Sequence, residues 1–260
     1  MTPILFVSHG APTVALETHS PFADALGQFG QAVRPKAIAI VSAHWQTCAP
    51  SVRTTGAEQP PLIYDFGGFP DEMYRLTYPA PGAPALAQEL VDALAAAHID
   101  GAPRWEAAVD GARGWDHGAW VPLRLAYPEA QIPVVQLSLP TASPAALIAM
   151  GRALQPFRER GVLLVGSGTV VHNLRAIGEE ADWARAFDAW FAEVMGRRDL
   201  DQLAQWRVAA PGAAKAHPTT EHFDPFLVAA GATVAGDQMV TLHEEFAFGS
   251  LSMRTFVMQG

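Results

Sequence analysis

Residues 37–42 have the sequence Ala37-Ile-Ala-Ile-Val-Ser42, a nearly uninterrupted apolar run that ends two residues before His44. A short run without polar alternation is typical of a strand that is covered on both faces of its sheet. Similar runs occur at Ile4–Val7, Ile132–Ser138 and Val162–Val165. These runs predict the central strands of one sheet.

Segments with helical features lie between the strand runs. Ser143 is suited to the N-cap and Pro144 to the first position of a helix that extends to Arg158. Further helices are predicted over residues 22–33, 83–97 and 181–195. Because strands and helices alternate, the sequence predicts an α/β fold with a mostly parallel central sheet flanked by helices. Residues 248–257 alternate in part and predict an added edge strand.

The composition limits the classes of function. Of 260 residues, 50% are apolar and 17% are charged, and the net charge is −9, which disfavours a nucleic-acid-binding surface. Cys48 is the only cysteine, so a disulfide framework is excluded and a cytoplasmic location is predicted. No signal peptide is recognised, and no run of about eighteen apolar residues predicts a membrane span. Since no repeat or break in composition divides the chain, residues 1–260 are predicted to form a single domain.

Three of the nine histidines follow strand runs: His9, His44 and His172, the last after a glycine turn and the short apolar step Thr169-Val-Val171. Ligands of open α/β sheets lie beyond the carboxyl ends of the strands, so these imidazoles are expected to meet at one edge. A single histidine in such a place is usually bonded to backbone. Three together predict a metal centre or acid–base chemistry near neutral pH.

His117 lies in the segment Trp115-Asp-His117-Gly118, with Trp120 close behind. Asp116 is suited either to orient the imidazole or to cap the helix that follows. The two tryptophans are suited either to wall a pocket or simply to pack in the core.

His222 lies in the segment Thr219-Thr-Glu-His222, which resembles a capped helix start. In a first helical turn the helix dipole disfavours imidazolium and favours the neutral, metal-binding form. Glu221 is its neighbour, but adjacent helical residues point about 100° apart, so the two are not expected to bind one ion. Three further histidines, His19, His98 and His243, lie in no comparable setting and are predicted to be exposed to solvent.

Other catalytic signatures are lacking in the sequence. It contains no Gly-x-Ser-x-Gly elbow, no Walker lysine motif and no His-Glu-x-x-His helix motif. A mononuclear site of imidazoles with at most one carboxylate remains, and divalent zinc or non-haem iron suits such ligands.

The segment from Gln59 to Gly82 is rich in proline, glycine and aromatic residues and predicts a long ordered loop. Such loops are either walls of a site or irregular excursions packed by their own side chains. Tyr64, Phe66 and Phe69 stand close together within it. Because the loop follows the strand run that ends near His44, we expect it to begin on the active-site side of the sheet.

Several blocks of the sequence together resemble the class III extradiol ring-cleavage dioxygenases, and most closely their DOPA-dioxygenase-like branch. The resemblance spans nearly the whole chain, and the blocks occur in the family's order. They are Ser8-His9-Gly10-Ala-Pro12, Val41-Ser-Ala-His44-Trp45, Tyr64-Asp-Phe-Gly-Gly-Phe-Pro70, Trp115-Asp-His117-Gly118, Pro133-Val-Val-Gln-Leu-Ser138, Ser167-Gly-Thr-Val-Val-His172-Asn173, Glu221-His222 and Gly249-Ser-Leu-Ser-Met253.

The resemblance implies one divalent metal per chain, Fe(II) for dioxygenase activity or Zn(II) as bound. It implies that His9, His44 and His222 are metal ligands and that His172 is a further ligand or the catalytic base. His117 resembles the family's second active-site histidine. The chain departs from the family at Ala11, where serine is common, and at Thr169, where asparagine is common.

The implied reaction opens the ring of a small aromatic diol with O₂ and gives a muconic semialdehyde. His117 and His172 are candidates to accept the protons of the diol. Tyr64, Phe66, Phe69 and Trp115 are candidates to bind the aromatic ring. Two alternatives stay open: a zinc-dependent hydrolase on the same imidazoles, and a catalytically silent protein that binds a metal or a small aromatic. The sequence leaves the oligomeric state open and predicts neither a nucleic-acid nor a membrane partner.

Overall fold

The computed structural model describes residues 1–97, 104–178 and 181–260. Its strands are β1 (Ile4–Ser8), β2 (Ala37–Cys48), β3 (Ser51–Thr55), β4 (Glu106–Asp110), β5 (Val134–Thr141), β6 (Val162–Gly168), β7 (Gln238–His243), β8 (Phe246–Ala247), β9 (Leu251–Ser252) and β10 (Thr255–Gln259). The main sheet has the order β4-β3-β5-β2-β6-β1-β10-β7, and β8 pairs with β9 separately.

The four predicted strand runs form the middle of the main sheet. Strand β6 pairs in parallel with both β1 and β2, and β2 pairs in parallel with β5. Every residue of β1 and β6 is buried, as expected for strands covered on both faces. Antiparallel strands complete the sheet towards both ends, so the sheet is mixed but parallel at its centre.

Helices cover both faces of this sheet. They are α1 (Pro21–Ala32), α2 (Pro84–Ala96), α3 (His117–Ala126), α4 (Pro144–Leu154), α5 (Asp182–Gly196), α6 (Leu200–Ala204), α7 (Trp206–Ala209), α8 (Ala213–Ala216) and α9 (Asp224–Gly231). The predicted cap of α4 is confirmed, since the amide of Ala146 donates to Ser143 Oγ over 3.3 Å.

Alternation along β1 separates the core into two layers. Ile4 and Phe6 belong to one buried cluster with residues of α2, α4, α5 and α9, whereas Leu5 and Val7 belong to a second cluster with residues of α1 and α3. Successive side chains of a strand point to opposite faces, so one short apolar run contributes to both layers. The described residues form one α/β domain, as predicted.

Two predictions about strands are wrong in detail. The C-terminal strand β10 is not an edge strand, because β7 pairs along its outer side. Strand β2 does not end before His44 but continues to Cys48, with a shift of register against β5 between Val41 and Gln46. Strands β3 and β4 were not predicted, because they are short and lack an uninterrupted apolar run.

The helix predicted to reach Arg158 ends as an α-helix at Leu154 and continues as a 3₁₀ turn. His19 is exposed, as predicted. His243 is not, since its side chain is 9% exposed and its ring lies 5.5 Å from that of Phe22. His98 lies outside the described residues. Within the described ranges, no helix combines the length and the apolarity that crossing a membrane requires.

Candidate active site

His9, His44 and His222 come together on the side of the sheet where the central parallel strands β1 and β6 have their carboxyl ends. One potential ligand atom of each lies within 4.8 Å of those of the other two. The Nε2 atoms of His9 and His44 are 3.2 Å apart. The strand ends predicted this meeting for His9 and His44, the family resemblance implied it for His222, and the structure brings the three imidazoles together.

Strands β1 and β2 supply the first two of these histidines. His9 directly follows β1, and its amide donates to the carbonyl of Gly168 over 3.0 Å. His44 lies in the irregular part of β2, where the changed register redirects side chains. A Cβ atom at Gly118, in the first turn of α3, would lie 3.0 Å from His44 Cδ2 and 3.3 Å from His9 Cε1. Glycine therefore allows the helix to approach both imidazoles.

His222 does not lie in a helical turn, contrary to the sequence prediction. It belongs to a turn before α9, in which the amide of Phe223 donates to the carbonyl of Thr220 over 2.8 Å. The His222 carbonyl accepts a 2.9 Å bond from the amide of Thr169, just beyond β6. This backbone bond, and not a helix cap, holds His222 against the end of the sheet.

His172 stacks directly on His222. Their ring centroids are 3.5 Å apart with an angle of 7° between the planes. The amide of His172 donates to the carbonyl of Ala216 over 3.0 Å, so the chain before His222 also fixes His172. Ligand atoms of His172 lie within 4.8 Å of those of His222 and Glu221, whereas those of His9 lie within this distance of His44 and His222.

Oxygen atoms accept hydrogen bonds from the Nδ1 edges of two of these rings and lie beside that of a third. Ser167 Oγ donates to the carbonyl of Gly118, so it accepts from His9 Nδ1 over 3.0 Å. Glu221 Oε1 accepts from His222 Nδ1 over 3.1 Å. Asp65 Oδ2 lies 3.4 Å from His44 Nδ1. The two hydrogen bonds assign the ring proton of His9 and of His222 to Nδ1 and leave each Nε2 with a free lone pair.

The donor set fits a divalent metal. Two nitrogens held about 2.05 Å from a tetrahedral ion lie about 3.3 Å apart, which is close to the observed 3.2 Å between His9 and His44 Nε2. Imidazoles with Nδ1 bonded to an oxygen acceptor are the usual form of histidine ligands. Zinc and non-haem iron both suit such nitrogens.

The surroundings favour neutral imidazoles. Burial, followed by the charges of the neighbouring histidines, lowers the pKa of His9 well below its ordinary value. The same two causes lower the pKa of His44 to about 3. Burial and the neighbouring His222 lower the pKa of His172 to about 3. These rings therefore present lone pairs at neutral pH, which is the state that binds metals and accepts protons.

His117 is the first residue of α3, and its ring centroid lies 4.0 Å from that of His44. The sequence left two roles open for Asp116, and the structure selects the cap: Asp116 Oδ1 accepts from the amide of Ala119. Asp116 is fully buried and also accepts from Ser42 Oγ and from the side-chain Nε2 of Gln136. The His117 imidazole is instead bound by Asp65, whose Oδ1 accepts from His117 Nδ1 over 3.0 Å.

The segment of residues 59–82, called the aromatic loop from here on, packs beside these histidines. The ring of Phe66 lies 5.6 Å from that of His117 and 5.4 Å from that of Phe69. Tyr64 packs on Trp120, and its hydroxyl donates to the carbonyl of Leu76 over 2.7 Å. Trp115 is 1% exposed and packs on Tyr78 in the core. Contact with substrate stays a prediction for all four aromatic candidates.

Three polar residues near the site were not identified from the sequence. Asp65 and Ser167 lie inside quoted motifs, but their bonds to histidine rings join residues far apart in the chain. His217 is fully buried, and its Nε2 donates to the carbonyl of Val170 over 2.7 Å. Its position five residues before His222 was the one local signal that could have drawn attention to it.

Comparisons with known proteins identify the family of this chain. The family model of the catalytic LigB subunit of aromatic ring-opening dioxygenase matches residues 3–253. The chain therefore belongs to this family of class III extradiol dioxygenases.

The chain is similar to proteins of the DOPA-dioxygenase-like branch of this family. The 4,5-DOPA dioxygenase extradiol of Beta vulgaris is 37% identical over 259 residues, which cover 96% of this chain and 94% of that protein. The protein of the same name from Escherichia coli (strain K12) is 40% identical over 262 residues, with 96% and 92% covered. The crystal structure of an uncharacterized protein from Escherichia coli K12 covers 100% of both chains, with a TM-score of 0.79 and 31% identity.

Proposed function

We propose that this protein is a metal-dependent extradiol dioxygenase that cleaves the ring of a DOPA-like catechol at the 4,5 position. The observation that carries the proposal is the group of three imidazoles whose Nδ1 edges face oxygen acceptors and whose ligand atoms meet at the sheet edge. The names of the similar proteins support a DOPA-like substrate.

His9, His44 and His222 would hold the metal in this proposal. Bound Fe(II) would supply the electron transfer between the diol and O₂ that an aromatic ring does not undergo readily alone. In the overall reaction the ring bond next to the diol breaks and both atoms of O₂ enter the product. One atom becomes part of a carboxylic acid and the other part of an aldehyde, which gives the muconic semialdehyde.

His172 and His117 would handle the protons. The diol must lose protons before the ring becomes electron-rich, and a neutral imidazole is a suitable acceptor. His172 stacks on His222 at 3.5 Å, and His117 lies 4.0 Å from His44, so both are adjacent to proposed ligands. Phe66 beside His117 would face the catechol ring and exclude water from it.

The test is reconstitution of the metal-free protein with Fe(II) or with Zn(II) under anaerobic conditions. After air is admitted with L-DOPA, the iron form is expected to consume one O₂ per molecule of yellow ring-opened product. A DOPA analogue with one methylated phenol is the matched control and should give neither signal. Turnover of an ester or amide by the zinc form alone would favour a hydrolase, and binding without turnover with either metal would favour a silent binding protein.

A further inference from the structure

One carboxylate of the aromatic loop faces two of the active-site histidines. Asp65 Oδ1 accepts bonds from the amide of His117 over 2.9 Å and from His117 Nδ1 over 3.0 Å. Its other oxygen, Oδ2, lies 3.4 Å from His44 Nδ1. The Asp65 side chain is 22% exposed, so these contacts are partly shielded from water.

We propose that Asp65 is a positioning residue that fixes the Nδ1–H tautomer and the ring orientation of His44 and His117 together. Both Nε2 edges are then presented away from the carboxylate, one to the metal and one to the substrate. The proposal rests on the proposed function, because it takes His44 as a ligand and His117 as a proton acceptor. It also joins the aromatic loop to the metal centre through a single side chain.

The bond from the His117 backbone amide to Asp65 Oδ1 fixes which carboxylate oxygen faces His117 and which faces His44. The amide of His117 belongs to the first residue of α3, and such a group always donates. Whatever replaces Asp65 must therefore keep an acceptor at the position of Oδ1. The position of Oδ2 is then the one that decides the tautomer of His44.

Direct metal binding by Asp65 is the rival interpretation, because ligand atoms of His44, Asp65 and His117 also lie within 4.8 Å of one another. The contacts favour positioning. Oδ1 already accepts two hydrogen bonds from His117, and a cation between these atoms would have to displace the Nδ1 proton. Histidine ligands usually hold a carboxylate on the nitrogen that does not bind the metal, which is the arrangement seen for His44.

The experiment compares Asp65→Asn with Asp71→Asn, an exposed carboxylate of the same loop. In Asp65→Asn the amide oxygen is expected to stay on the His117 amide, which turns the NH₂ group towards His44 Nδ1. His44 should then become the Nε2–H tautomer, which cannot bind a metal through Nε2. Long-range ¹H–¹⁵N correlation spectra of the metal-free, full-length protein report this tautomer directly.

We expect Asp65→Asn to switch the His44 tautomer and to weaken Zn(II) binding about 10- to 100-fold in a chelator competition. Asp65→Glu, which keeps two acceptor oxygens, should retain the wild-type tautomer and recover part of the affinity. Asp71→Asn should match the wild type. Unchanged tautomers would overturn the proposal, and if affinity still falls, direct metal binding by Asp65 is indicated. These readouts need no turnover, so they hold even if the wild type cleaves no catechol, which would refute only the proposed function.

Discussion

At the scale of single residues, the three proposed ligands have their Nδ1 edges beside oxygen atoms, and their ligand atoms lie within 4.8 Å of one another. Replacing His9, His44 or His222 with alanine should each weaken metal binding by more than the 10- to 100-fold that loss of an outer partner costs. Metal content after dialysis, measured by elemental analysis, checks this. His19→Ala is the control because His19 is exposed. Stoichiometric metal in the His9 and His44 variants would refute the assignment.

The proposed proton acceptors should affect catalysis more than binding. His117→Ala and His172→Ala are expected to lower kcat by about 10²- to 10⁴-fold, the usual contribution of general acid–base catalysis. Catechol affinity and metal content should change far less. Steady-state kinetics of the iron form measures the separation. Near-normal turnover in His117→Ala would mean that this imidazole is structural.

His217 provides a test of stability against pH. Burial lowers its pKa to about 3 in the folded protein, against about 6.5 in the unfolded chain; the hydrogen bond to Val170 opposes this shift and the charge of His222 adds to it. The fold therefore favours neutral His217: this stabilisation is complete above pH 6.5 and is lost as the pH falls towards 3. His217→Gln keeps a donor but does not titrate. Below pH 6 the free energy of unfolding of the wild type should fall more steeply than that of the variant, by roughly 1 kcal/mol per pH unit. Urea unfolding of both metal-free proteins at pH 4 to 7 measures the two slopes, and equal slopes would contradict the account.

At the scale of elements, the aromatic loop is expected to form part of the catechol pocket. Phe66 lies between His117 and Phe69, so its removal should open the space beside the proton acceptor. Phe66→Ala or Phe69→Ala should raise the KM for the catechol about tenfold, the effect of losing roughly 1.4 kcal/mol of apolar contact, or uncouple oxygen uptake from ring cleavage. Metal content should stay at the wild-type level. Unchanged KM and coupling in both variants would show that these rings only pack the loop.

At the scale of the whole molecule, a buried ion pair and the candidate active site lie at opposite ends of the central strands. Arg158 is buried before the amino end of β6, where its guanidinium donates to Asp237 and to the carbonyls of Thr2 and Ala232. Arg158→Met leaves Asp237 buried without its partner and should lower the free energy of unfolding by about 3–5 kcal/mol.

Exposed Arg160, paired with Glu89, offers the matched control. Its side chain is 53% exposed, so Arg160→Met should cost no more than about 1 kcal/mol. Both variants should keep the wild-type metal content, because the histidines lie at the carboxyl edge of the sheet. Denaturant unfolding and elemental analysis check the two expectations. Metal loss in Arg158→Met would show that the two edges are coupled.

The central strands could be predicted from the sequence because burial on both faces demands continuous apolar runs, as at residues 37–42 and 162–165. The caps of α4 and α3 are likewise local patterns. Strands β3 and β4 carry no such pattern, and the covering of β10 by β7 depends on pairing between distant segments, which leaves no periodic trace in either one.

The sequence by itself determined the α/β class and the candidate histidines, because chain order places a residue after a strand. Only the tertiary structure decided what each ring contacts. Asp65 on His117, Ser167 on His9 and the stack of His172 on His222 join segments separated by about fifty or more residues. Such contacts depend on the register of the sheet and on the close approach of Gly118 to two imidazoles. Local residue patterns do not encode these distances, since they arise when separate elements pack together.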